Sequence, residues 1–198
     1  QASSLPVHGA SSAPISGGRM PPELADKMSA RHFHAGSPER PALNDSRLKV
    51  GLVWAGNSDH QNDRARSLPF GSLRPLFDLE RFSFYSLQVG ARTADLSGAP
   101  GSAPVHDLSP CLEDFAATAA AIARLDLVIS VDTAVAHLAG ALAQPVWVLL
   151  PFAPDWRWLL GRDDSPWYPT AQLFRQPRPG DWASVIQNVR AQLEQKQF

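Results

Sequence analysis

The segment 126–151, DLVISVDTAVAHLAGALAQPVWVLLP, constrains this chain more than any other. Its first apolar run, 127–131, has the length and the β-branched content of a strand. It leads straight into Asp132 and Thr133, after which small residues and His137 follow at helical spacing. A second apolar run, 145–150, closes the unit. Apolar runs without polar alternation indicate strands buried on both faces, and a crossover helix between them makes them parallel. In sheets of that kind ligands sit at the carboxyl ends of the strands. The unpaired N–H groups of the helix after Thr133 favour an anion such as a diphosphate at that end.

The rest of the chain repeats the alternation. Runs at 50–56, 82–88, 105–108 and 172–175 read as further strands. Helices are predicted at 67–79, with Pro69 in the first turn, and at 182–193. Another is predicted at 112–124, where Leu112, Phe115, Ala116, Ala119, Ile122 and Ala123 share a face. The Gly-, Ala-, Ser- and Pro-containing segment 89–104 reads as a loop. The expectation is an α/β fold: one doubly wound parallel sheet with helices on both faces, spanning 48–198. Residues 1–47 read as a low-complexity, largely disordered leader. Within it 22–33 has the spacing of a short helix, and the His32–His34 pair reads as tail because no third ligand is near in sequence.

Composition narrows the function classes. A net charge of −1 with no dense basic run argues against binding a nucleic-acid backbone. The single cysteine, Cys111, precludes an internal disulfide framework and suits a reducing cytoplasm. No apolar run is long enough for a membrane span.

Candidate site residues gather at the predicted strand ends. Asp132 and Thr133 read both as a helix cap and as an anion site, because cap and anion share the same N–H groups. Thr133 is assigned to the phosphate, with Ala134 giving room for close approach. Asp132, which would repel a phosphate, is assigned to orienting the loop or to a hydroxyl or bridging water. His137, four residues after Thr133, falls on the same helix face; it reads equally as a phosphate donor and as a residue packed on the sheet. The loop after the first strand carries Asn57, Arg64 and Arg66 towards the same edge, where a guanidinium can clamp a phosphate. Gln88 and Asp107 end the second and third strands; Asp107 reads as a ribose-hydroxyl ligand or as a turn former. The aromatic stretch 152–169 reads as core or interface, with sugar or base stacking as the alternative. Neither a glycine-rich dinucleotide fingerprint nor a P-loop is present.

These residues carry a resemblance. Residues 49–193 resemble the C-terminal, donor-binding half of family 9 glycosyltransferases, the heptosyltransferase-like group of the GT-B fold. The family's D-T-x-x-x-H-L-A-x-A-L pattern matches Asp132, Thr133, His137, Leu138, Ala139, Ala141 and Leu142. The chain looks still more like the glycosyltransferase-like domains that follow tetratricopeptide repeats in bacterial proteins. Those carry G-L-V-W-A-G-N, N-D-R-x-R-S and D-W-R-W-L-L-G…S-P-W-Y-P, found here at 51–57, 62–67 and 155–169.

The resemblance implies one Rossmann-like half of a GT-B fold and a nucleotide-diphospho-sugar donor, with no cofactor and no metal. It implies inverting transfer in which Arg66 and His137 stabilise the departing diphosphate. Thr133 and its neighbouring amides would bind that diphosphate, and a ribose carboxylate falls near Asp107. Where heptosyltransferases have Gly after Asp-Thr, this chain has Ala134, whose β-carbon narrows the approach to phosphate. The half that usually supplies the general base is absent from these residues, so an acceptor-side domain or a tetratricopeptide-repeat region is the implied partner. The alternative is a non-catalytic module that holds a nucleotide or a protein; a third reading is an α/β domain whose caps and arginines serve the fold alone.

Overall fold

The structure, a computed structural model, describes residues 46–98 and 105–195. Nearly all of the leader, with the 22–33 helix and the His32–His34 pair, lies outside the described residues. Six strands form one sheet: β1 Leu48–Val53, β2 Phe82–Ser86, β3 Val105–Asp107, β4 Leu127–Val131, β5 Val146–Leu150 and β6 Ala171–Arg175. Their order is β3-β2-β1-β4-β5-β6, and every neighbouring pair is parallel. The chain order reverses between β1 and β4, so the sheet's switch point lies where Thr133 leaves β4. The helices are α1 Asp63–Arg66, α2 Arg74–Phe77, α3 Phe115–Ile122, α4 Ala134–Ala141 and α5 Trp182–Gln195. Among the described residues no helix is long and apolar enough to cross a membrane.

The two sheet faces bury separate cores, as the doubly wound expectation requires. Val50, Leu52 and Trp54 point to one face, packed with Leu68, Leu76 and the α5 residues Val185, Ile186 and Val189. Val53, Tyr85, Leu87 and Val128 belong to the other, packed with Ile122, Ala136 and Ala139 from α3 and α4. Each large side chain buried in this way contributes about 1.5–3 kcal/mol. Gly140 lets the second layer close. A β-carbon there would lie 2.4 Å from the Tyr168 ring, so only glycine allows Tyr168 to pack on α4.

Five local expectations are corrected. The single helix expected at 67–79 is instead a 3-10 turn, Phe70–Leu73, followed by the one-turn α2. Pro69 holds Leu68 out of helical geometry, and the Leu68 amide donates to the Trp54 carbonyl at 2.9 Å. The loop expected at 89–104 contains a nine-residue 3-10 helix, Gly90–Gly98. The helix expected from 112 begins at Phe115, because the Asp114 carboxylate accepts the Ala117 amide at 2.7 Å and caps it there. Phe115, expected on the buried face, is 68% exposed. The strand expected at 50–56 leaves the sheet after Val53, since the Trp54 and Ala55 amides turn to the Gln88 side chain.

Candidate functional site

A cavity of about 490 Å³ opens at the switch point, at the carboxyl ends of β1 and β2 and the start of α4. Gly56, Asn57, Arg66, Arg92, Thr133 and Ala134 are among its lining residues. Of the residues expected to meet there, Asn57, Arg66, Gln88, Thr133 and Ala134 do so.

The N-D-R-x-R-S loop is folded to aim Arg66. The Gly56 amide donates to Ser67 Oγ at 3.0 Å, and that hydroxyl donates to Asp63 Oδ1 at 2.8 Å. The same carboxylate oxygen lies 3.5 Å from Arg66 Nε. Arg66 Nη1 then crosses to β4 and donates to the Asp132 carbonyl at 3.1 Å. The guanidinium rests on Gly56, where an added β-carbon would come within 2.5 Å of Nη2. With 17% of its side chain exposed, Arg66 is a fixed cation at the mouth of the cavity. Arg64, in the same helical turn, is exposed and lies outside the cavity lining, so it does not join the site.

On the β4 side, Thr133 has extended backbone and precedes α4. Its hydroxyl lies 3.0 Å from Ser130 Oγ and makes no cap to the helix. The first turn of α4 therefore keeps its N–H groups uncapped by any side chain, beside an exposed Ala134. A cation and open amides thus converge on one space, which suits an anionic ligand.

His137 does not face that space. It lines a second cavity, of about 370 Å³, with Trp156, Arg157, Trp158, Trp167 and Tyr168. Its ring stacks on Trp158 with centroids 5.1 Å apart and planes at 20°. Nδ1 lies 3.0 Å from the Tyr168 hydroxyl, and Nε2 lies 3.5 Å from Asp132 Oδ1. Of the two readings of His137, packing is the one the geometry favours: its ring lies against Trp158 and Tyr168 and lines the second cavity, not the one beside Thr133. Asp132 bridges the two flanks, with its carbonyl on Arg66 and its carboxylate on His137. Burial pushes the Asp132 carboxyl up, but the hydrogen bond and charge of His137, with the nearby Trp158 indole and Arg157, carry it below its ordinary value. The Trp158 N–H makes no hydrogen bond of good geometry, so it acts on Asp132 as a nearby dipole.

Two more assignments are corrected. Gln88 lines the cavity, but its side chain is consumed. Oε1 accepts the Trp54 and Ala55 amides at 3.2 and 3.0 Å, and Nε2 donates to the Ala55 and Val89 carbonyls, both at 3.1 Å. All four amide positions are filled, so Gln88 staples β1 to β2 and has nothing left for a ligand. Asp107 ends the edge strand β3, and its carboxylate accepts the Ser109 amide and hydroxyl at 2.9 and 3.0 Å. It is a turn former outside the cavity. Asn57 stays at the rim, its Oδ1 accepting the Asp59 amide at 3.0 Å.

Arg92 and Arg175 went unread in the sequence. Arg92 lines the cavity, and its Nε donates to Asp95 Oδ2 at 2.9 Å. The available signal was the R-x-x-D spacing together with Trp54, a polar N–H set in an apolar strand. The aromatic stretch divides: Trp158 is core, whereas Trp156 and Trp167 are 74% and 59% exposed. Arg175, at the end of β6, braces it by donating to the Trp158 and Arg162 carbonyls at 2.7 and 3.0 Å.

The chain is similar to protein FlbA of Caulobacter vibrioides, with 30% identity over 152 residues, 73% of this chain and 25% of FlbA. It therefore spans about a quarter of the length of that relative. No known family profile matches the sequence.

Proposed function

We propose that this domain binds the donor of a glycosyl transfer, a nucleotide-diphospho-sugar, and stabilises the nucleotide diphosphate as it departs. The observation that carries the reading is the Arg66 guanidinium, tied to the Asp132 carbonyl and set beside the uncapped first turn of α4. When the sugar–oxygen bond breaks, negative charge grows on the leaving phosphate. A fixed cation and fixed amides favour that charge without having to reorganise. Thr133 and Ala134 border the same space. His137 acts one step away, by holding Asp132.

Transfer also needs a base at the acceptor hydroxyl. The carboxylates around this cavity are committed elsewhere: Asp63 to Ser67 and Arg66, Asp95 to Trp54 and Arg92, Asp132 to His137. The base therefore belongs to an acceptor-side domain, and a tetratricopeptide-repeat region is the proposed neighbour. The match to a quarter of FlbA fits a module that works beside other domains. The same absence of an uncommitted carboxylate around the cavity, among the described residues, favours, as second reading, a nucleotide-holding module without transfer chemistry.

Calorimetry of the 198-residue chain with nucleoside mono- and diphosphates and nucleotide sugars tests the proposal. Arg66→Ala should weaken diphosphate binding about 10- to 100-fold, the worth of one charge-assisted hydrogen bond. Thr133→Val should cost less, because its hydroxyl already pairs with Ser130. Unchanged affinity in Arg66→Ala would remove the diphosphate from this cavity. Donor hydrolysis by the wild-type chain would separate the enzyme from the holding module.

A further inference from the structure

The nine-residue 3-10 helix Gly90–Gly98 is unusual, since such helices rarely exceed a few residues. Its geometry places side chains three apart directly above one another, which brings Arg92 and Asp95 together. Their contact, Arg92 Nε to Asp95 Oδ2, is 2.9 Å. The same Oδ2 accepts the indole N–H of Trp54 at 3.0 Å. Trp54 is wholly buried in the β1 core, and its N–H requires an acceptor. The core thus fixes Asp95, and Asp95 fixes Arg92 through Nε alone. The two terminal nitrogens of Arg92 have no hydrogen bond among the described residues. They belong to a side chain that lines the same cavity as Arg66.

Arg66 is held in a parallel way. Its Nε faces a carboxylate three residues away, and Nη1 is anchored on the β4 side. Arg92 enters after β2 instead, on the other side of β1 in the sheet order. Each guanidinium is already paired with a carboxylate, Asp63 or Asp95, so the two can line one cavity and still attract anionic groups from solution. A ligand with one anionic centre satisfies one arm, whereas a ligand with two satisfies both.

We propose that Arg92 is a second anion-binding arm, that Trp54 and Asp95 are its positioning residues, and that the cavity selects ligands with two adjacent anionic groups, a nucleoside diphosphate over the monophosphate. The inference rests on the donor-site reading above and adds to it a specificity residue and a role for the tryptophan of the G-L-V-W-A-G-N motif.

The test is the affinity ratio between a nucleoside diphosphate and its own monophosphate, measured by calorimetry on the whole chain with the adenosine, uridine, guanosine and cytidine pairs. Wild type should favour the diphosphate by about 10- to 100-fold, one charge-assisted hydrogen bond. Arg92→Ala should bring the ratio close to one with monophosphate affinity nearly unchanged, and Arg92→Lys should restore part of it. Asp95→Asn and Trp54→Phe should lower the ratio by a smaller factor while circular dichroism shows the fold retained. A merely structural role for these two would weaken both ligands equally and overturn the positioning claim. If Arg66→Ala abolishes binding and Arg92→Ala leaves the ratio intact, the second arm is wrong and the donor site stands. If wild type binds none of these nucleotides, the donor site itself is wrong, and this inference falls with it.

Discussion

The two flanks of α4 use one short motif for opposite ends. On one flank Thr133, Ala134 and Arg66 border an open cavity beside the uncapped first turn of α4. On the other, His137 is enclosed by Trp158 and Tyr168 and held at both ring nitrogens. Asp132 joins them, its backbone serving the first and its carboxylate the second. Residues four apart on a helix can therefore part company when neighbouring elements compete for them. The first flank offers binding; the second holds the junction that makes the first rigid.

The largest expected effect lies on the aromatic flank. Gly140→Val forces a side chain into the Tyr168 ring, and overpacking of that kind costs about 3 kcal/mol. Chemical denaturation should show the loss, while residual folded protein keeps its nucleotide affinity within a small factor. Next comes His137→Ala, which removes the Trp158 stack and the Tyr168 contact. Stability should fall by about 1–2 kcal/mol, while diphosphate affinity changes far less than in Arg66→Ala. If His137→Ala and Arg66→Ala weaken binding equally with stability intact, the division between the flanks fails.

The smallest effect is pH-dependent. The Asp132 carboxyl is held below its ordinary value in the folded chain, so its contribution to stability is present above the unfolded value, about 3.9, and disappears as pH falls through the folded one. Asp132→Asn should be less stable than wild type at neutral pH, and the gap should close on acidification below that range. Acid titrations of the two proteins followed by circular dichroism would show it; a gap that persists at low pH would contradict the assignment.

The comparison also explains what could be read from the sequence. The strands and the switch point were legible because 127–131 and 145–150 are apolar throughout, which only a doubly covered sheet accommodates. Arg66, Thr133, Ala134 and Asn57 were legible because a site at strand ends follows from topology. The helix expected at 67–79 failed because Pro69 keeps Leu68 out of helical geometry, and Pro75, in the expected interior, has no N–H to donate to Gly71, so the helix restarts there. Gln88, His137 and Arg92 were misread or missed for one shared reason. Each takes its role from a partner far along the chain: Ala55 for Gln88, Tyr168 for His137, and Trp54, through Asp95, for Arg92. Local spacing carries no information about such partners. Asp107 fell the other way, since its partner, Ser109, lies only two residues on.

The most direct measurement is a crystal structure of the chain with a nucleoside diphosphate. The account predicts phosphoryl oxygens within hydrogen-bond distance of Arg66 and of the first amides of α4, with His137 still on Tyr168. A diphosphate seated instead among His137, Trp156 and Trp167 would contradict it.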